Sequence, residues 1–266
     1  MNLGLHTALL IAATLSAQEP QPAQPQGDNV LRLQGQTPRQ SQASGKSGRS
    51  AAPLDLSGYW VSVIDEDWRW RMLTPPKGDF SSVPLNIEGR RVADTWDPSK
   101  DEAAGQQCRA FGAAAIMRMP TRLHITWVDD STLRIETDAG TQTRLLHFRE
   151  TPSGGDRTWQ GSSTASWEID GVPRRGAGPS GPRDLKVMTT NLRAGYLRKN
   201  GIPYSENATL TEFFDLFPKL PNGDEWMVVT AIVEDPRYLT GRYITSSNFK
   251  RESDNAKWHP TPCTAR

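Results

Sequence analysis

Between residues 122 and 148 the chain reads RLHITWVDDSTLRIETDAGTQTRLLHF, with apolar side chains falling on every second position over long stretches. Alternation of this kind marks a strand with one buried face. Turn-forming residues at 129–131 and 138–140 divide the stretch into three strands of a meander. A three-residue first turn places Leu123, Ile125 and Trp127 on one face with Leu133 and Ile135, and sets His124 against Glu136 on the other. A two-residue turn scrambles that match, so the hydrophobic pattern selects the register.

Similar runs, rich in β-branched and aromatic residues and bounded by Gly, Pro, Asn and Asp, occupy 58–64, 68–74, 163–169, 185–190, 209–217, 225–234 and 243–250. With the three strands of the meander they predict an all-β domain. A closed antiparallel barrel with short peripheral helices is the expected architecture, and a β-sandwich or jelly roll the alternative, because both hide strand edges. Helical signal is confined to 86–96 (NIEGRRVADTW) and 101–107 (DEAAGQQ), the first weakened by Gly89. The Gly-, Pro- and Arg-rich stretch 170–184 reads as a mobile loop, and 200–205 (NGIPYS) as a turn flanked by Tyr196 and Tyr204.

The chain ahead of the first strand has a different composition. Residues 1–17 carry an apolar run too short for a bilayer but suited to a signal peptide, with His6 rather than Lys or Arg ahead of it. Residues 18–53 are rich in Gln, Pro, Ser and Gly and bury too little apolar surface to offset ordering entropy, which predicts a disordered linker. The barrel domain is then 54–252, with a tail over 253–266. Export is the expected fate, to the periplasm or beyond the cell, and no later segment is long enough to span a membrane.

Charge narrows the partners. Lys and Arg number 31 against 30 Asp and Glu, without a basic block, so a nucleic-acid partner is not expected. The two cysteines, Cys108 and Cys263, most simply form one disulfide in an exported chain, pinning the tail to the body. Two free thiols, or one reactive thiol, would have neither a C-x-x-C nor a metal-like spacing behind them. The dispersed histidines show no metal-ligand spacing, no G-x-S-x-G occurs, and no cofactor is expected.

Residues 65–72, DEDWRWRM, concentrate charge and indole. As a strand they would turn Trp68, Trp70 and Met72 to one face and Arg69 and Arg71 to the other. Trp60, Trp68, Trp70 and Trp127 are the candidate wall of a ligand cavity, and Asp67, Arg69 and Arg71 its candidate polar anchors. Both groups can line one cavity only if a bulge breaks the alternation. With nine tryptophans, the chain is unlike one with an ordinary aliphatic core, which favours a cavity. The acid–base candidates are His124 and His147, with Glu136 and Glu212 as partners.

Two resemblances bear on this. Gly58, Tyr59 and Trp60 spell the G-x-W that opens the first strand of the lipocalin-like, or calycin, barrels, which implies a barrel whose Trp60 closes one end. SWEIDG, LKVMTTNL, LRKNGIPYS, TLTEFFDLF and VEDPRYLT, spread over 166–240, are similar to a family of uncharacterised exported bacterial proteins that carries these motifs in the same order. That second resemblance implies export and a β fold and brings no catalytic residue with it. The expected function is therefore binding of a small hydrophobic or aromatic molecule by an exported lipocalin-like protein. The alternatives are an isomerase, lyase or hydrolase using a His/Glu pair, or a carbohydrate-binding sandwich.

Overall fold

The computed structural model describes residues 48–149, 155–169 and 182–266. The expected signal peptide, most of the 18–53 linker and most of the 170–184 loop lie outside the described residues. A 3-10 turn at Gly48–Ala51 already packs on the domain, six residues ahead of the expected boundary at 54.

Nine strands close into a barrel: β1 (Gly58–Val63), β2 (Arg122–Asp129), β3 (Thr132–Thr137), β4 (Gln142–His147), β5 (Ser162–Ile169), β6 (Pro182–Thr190), β9 (Thr209–Leu216), β10 (Trp226–Glu234) and β11 (Tyr243–Glu252). Their order around the ring is β1-β11-β10-β9-β6-β5-β4-β3-β2. Two further strands, β7 (Gly195–Arg198) and β8 (Ile202–Tyr204), form a separate hairpin that turns at 199–201, so most of the turn expected at 200–205 is strand β8 instead. A ring with an odd number of strands cannot alternate direction throughout. The expected antiparallel barrel is corrected at one interface, where β4 and β5 run parallel through Leu146↔Ser163 and His147↔Thr164.

The meander adopts the register its pattern selects. His124 faces Glu136, Ile125 faces Ile135 and Trp127 faces Leu133, and a bulge between Trp127 and Asp129 absorbs the odd residue of the turn. Leu123, Ile125, Leu133 and Ile135 point into the barrel with Trp60, Leu146, Leu185, Val187, Phe214 and Phe249, and together they make one packed core. Among them sits an ion pair. Arg144 on β4 reaches across to Glu212 on β9 through two bonds of 3.1 and 2.6 Å, and both side chains are buried. Thr189 and Ser163 extend the polar cluster, Ser163 Oγ lying 2.8 Å from Thr189 Oγ1.

One end of the barrel is plugged by Trp127, Phe148 and Trp167, whose rings touch in series at 5.4 and 5.3 Å. The Trp167 indole also donates to the Gly48 carbonyl, which ties the 3-10 turn to this end. The opposite end gathers the C-termini of β1, β3, β6 and β10 and the N-termini of β2, β4, β5, β9 and β11. It is covered by a second apolar core that includes Val83, Leu85, Ala113, Leu197, Ile202, Tyr204 and Leu239.

Three helices contribute to this cap. α2 (Ile87–Ala93) realises the first predicted helix, capped by Asn86, whose side chain accepts from Gly89 N at 2.8 Å. Gly89 belongs there because a Cβ would lie 2.6 Å from the Tyr238 carbonyl. The second predicted helix, 101–107, begins earlier, as α3 (Pro98–Ala103), since Asp97 caps it and Pro98 occupies its first position. α4 (Ala113–Ile116) is wholly buried and was not expected.

Candidate ligand-binding site

The run 68–74, expected as a strand, is not one. Asp67 takes a left-handed conformation (φ 53°) after β1. The chain then winds into a single helical turn, α1 (Trp68–Arg71), with Trp70 N and Arg71 N donating to the Asp67 carbonyl at 2.9 and 3.1 Å. Three acids in succession beyond β1 have no neighbouring strand to pair with, and an Asp tolerates the left-handed region that starts the turn. Side chains one residue apart now diverge by about 100° instead of 180°. Trp68 is 63% exposed, and Arg69 points outward to Asp79. Trp70 and Arg71 turn inward together, so the conflict between indole and guanidinium faces disappears without a bulge.

Trp70 and Arg71 line a cavity of about 400 Å3 on the cap. Its walls come from α1 and the residues after it, from α4 and residues 117–120, from β7 with Lys199, and from Thr261, Pro262 and Thr264 of the tail. Phe111, Ala115, Met119 and Leu197 supply apolar surface inside, and Met72 and Leu73 form an exposed apolar lip. Four cations also line it, Arg71, Arg118, Arg198 and Lys199, while among the described residues no Asp or Glu does.

Each cation is held differently. Arg118 donates to Asp67 Oδ2 at 2.7 Å, so Asp67 acts as the anchor of a second arginine. Arg71 donates from Nε to the Arg118 carbonyl at 2.9 Å and from Nη2 to Ser247 Oγ at 3.5 Å. Burial, and then the neighbouring Arg118 charge, push the Arg71 pKa down, with Glu66, Asp67 and Asp65 acting the other way. Lys199 is also pushed down by burial, and its Nζ donates to Thr264 Oγ1 at 3.0 Å. Arg198 donates from Nη1 to the Ser81 carbonyl at 2.8 Å and lies over the Trp70 ring, 5.1 Å from its centroid. Trp70 is fixed in turn by its indole N–H, which donates to Asp79 Oδ2 at 2.9 Å. That bond is the main reason the Asp79 carboxyl lies below the ordinary range.

The tail wall is covalently held. Cys108 and Cys263 form a disulfide with Cα atoms 5.1 Å apart, and Thr261 N donates to the Asp138 carbonyl at 2.8 Å. The expected pinning of the tail is thus present, and it builds one side of the cavity.

The remaining candidates lie elsewhere. Trp60 is fully buried in the barrel core, its indole N–H donating to the Leu56 carbonyl at 2.9 Å and Arg251 lying over its ring. Trp127 belongs to the plug at the far end. His124 sits on the outer face, stacked on Tyr59 at 4.2 Å, with Nδ1 3.1 Å from Glu136 Oε2. His147 meets Thr132 Oγ1 at 3.4 Å. Glu212 faces Arg144 in the barrel interior rather than either histidine. The structure therefore brings together His124 with Glu136, and Trp70 with Arg71, but assembles neither four tryptophans around one hollow nor the four acid–base candidates at one point. Arg118, Arg198, Lys199, Phe111 and Met119 were missed. Their signals are brief, MRMP at 117–120 and LRKNG at 197–201, and about 80 residues of sequence separate what the cap brings together.

Among the described residues no group of three or more His, Cys, Asp or Glu could hold a metal ion, and no helix is long and apolar enough to cross a membrane. Comparison with family models, with curated proteins and with solved structures finds no match. What stands of the two sequence resemblances is the β-barrel.

Proposed function

We propose that this chain is an exported binding protein for a small, largely apolar molecule, and that the molecule occupies the cavity at the capped end rather than the barrel interior. The observation that carries this reading is the cavity itself. Its volume of about 400 Å3 falls within the ordinary range for small-molecule sites, roughly 300–1,000 Å3. Indole, phenyl, thioether and aliphatic groups are exposed to it, on walls fixed by a disulfide and by the Trp70–Asp79 bond. Export is supported by the signal-like run at 1–17 and by the disulfide, which persists in oxidising compartments. The G-x-W opening of β1, with Trp60 in the core, is in keeping with the lipocalin-like resemblance.

The test uses the neutral dye N-phenyl-1-naphthylamine, whose emission rises in an apolar site. Saturable binding is expected, and Met72→Asp and Leu73→Asp should each weaken it by about tenfold, or about 1.4 kcal/mol, by placing a charge on the apolar lip. Both residues are exposed, at 54% and 68%, so the fold does not depend on them. Unchanged affinity in both variants, or no binding by the parent chain, would overturn the reading.

A further inference from the structure

Apolar walls explain the body of a ligand but not the charge around it. Among the described residues the four cations of the cavity are not balanced by an acid in its lining, and three of the nearby acids are engaged. Asp67 is bonded to Arg118, Asp65 accepts from the Asn248 amide at 3.0 and 3.1 Å, and Asp79 accepts from Trp70 and Arg69. Arg71 and Arg198 are only 6% and 5% exposed. Even so, Arg71 Nη1 and Arg198 Nε and Nη2 have no acceptor among the described residues. A buried charged donor without an acceptor costs on the order of 1–3 kcal/mol or more, and all three belong to residues that line the cavity, which points to an acceptor that the described residues do not provide.

The pattern on Arg198 narrows that acceptor. Nη1 is committed to the Ser81 carbonyl, which leaves Nε and Nη2 as an intact edge of the guanidinium fork. That edge presents two parallel donors spaced for the two oxygens of one carboxylate or phosphoryl group. The face of the same guanidinium is already occupied by Trp70, which holds the fork in one plane.

Resting on the cavity as the binding site, we propose that its ligand is an amphipathic oxyanion, an apolar body ending in a carboxylate or phosphoryl group that is gripped by the free edge of Arg198 with Arg71 beside it. The apolar body lies against Phe111, Met119 and Leu197, and Met72 and Leu73 cover its exposed end. Lys199 adds attraction without fixed geometry.

Isothermal titration of the full chain with three probes of one skeleton tests this: 1-naphthaleneacetate, 1-naphthyl phosphate and neutral 2-(1-naphthyl)ethanol. At least one anion should bind about tenfold tighter than the alcohol, and whichever anion leads identifies the headgroup. Arg198→Met should reduce that ratio to about threefold or less, and Arg198→Lys should restore only part of it, because an ammonium cannot present the two-donor edge. If Arg198→Met does not fold, Lys199→Met supplies a second variant with the same direction of change, and the ratio in the parent chain is decisive by itself. If the alcohol binds as tightly as both anions, the oxyanion is wrong while the cavity reading survives. If none of the three binds, both fail.

Discussion

The Arg144–Glu212 pair inside the barrel sets up a quantitative test of how this fold tolerates charge. Each side chain is 1% exposed, and the contact is bidentate at 3.1 and 2.6 Å, with Thr189 Oγ1 3.4 Å from Arg144 Nη2 and Arg144 Nε without a partner. Glu212→Ala leaves a guanidinium among Leu, Ile and Phe side chains with no counter-charge, and Arg144→Met does the same to the carboxylate. At an effective dielectric of about 20 and a charge separation of about 4 Å the lost attraction is about 4 kcal/mol, in line with the roughly 3–5 kcal/mol measured when one partner of a buried pair is removed. Urea unfolding followed by near-ultraviolet circular dichroism reads this directly. With a slope of about 2 kcal/mol per molar, the midpoint should fall by about 2 M in either single variant. The double variant Arg144→Met/Glu212→Leu removes both charges and keeps the volume, so it should regain most of that loss, as such replacements commonly do. A loss below about 1 kcal/mol in the singles, or a double variant that sums them, would refute the reasoning.

Three further outcomes follow from other parts of the structure. Cys108→Ser with Cys263→Ser removes a closure between residues 155 apart, which chain entropy values at about 5 kcal/mol; thermal unfolding should shift down steeply, and binding of the naphthylamine dye should weaken because the tail wall is no longer tethered. Gly201→Ala should cost about 2–4 kcal/mol by denaturant titration, since the residue has φ 81° and an added Cβ would lie 2.2 Å from the Trp96 ring. Asp79 has a lowered pKa, so the stability it contributes is fully present above the ordinary carboxylate pKa of about 4 and is lost as pH falls through the lowered value. Parent and Asp79→Asn stabilities should therefore differ at neutral pH and converge in acid, and a constant difference down to the lowest pH would rule out this role.

The barrel was legible because strands buried on one face announce themselves by alternation. Leu123, Ile125, Leu133 and Ile135 fixed both the meander and its register, and His124 met Glu136 as that register required. The site was less legible. Residues 68–72 alternate as a strand does, yet a strand also needs a neighbour, and Asp67 in the left-handed region turns the chain before one is reached. Arg69 and Arg71 look equivalent in sequence, but one lies outside with Asp79 and the other is buried against Arg118 and Ser247. β7 and β8 escaped notice because every residue of both is buried, which leaves no alternation to read. Arg118 and Arg198 belong to the site only because the cap folds the segments before β2 and after β6 over the same barrel end.

The parallel joint between β4 and β5 carries a mechanical consequence. Eight joins in this nine-stave ring are antiparallel, and the ninth is held by two residue pairs, Leu146↔Ser163 and His147↔Thr164. A cylinder strained from within or without parts first along its weakest stave. Amide protons beside that joint should exchange with deuterium ahead of those between β9 and β10, where eight residue pairs stand in register. Arg144 stands on one bank of that line and clasps Glu212 on the opposite wall, so the charge buried in the middle of the cylinder also works as a crossbar that keeps it round.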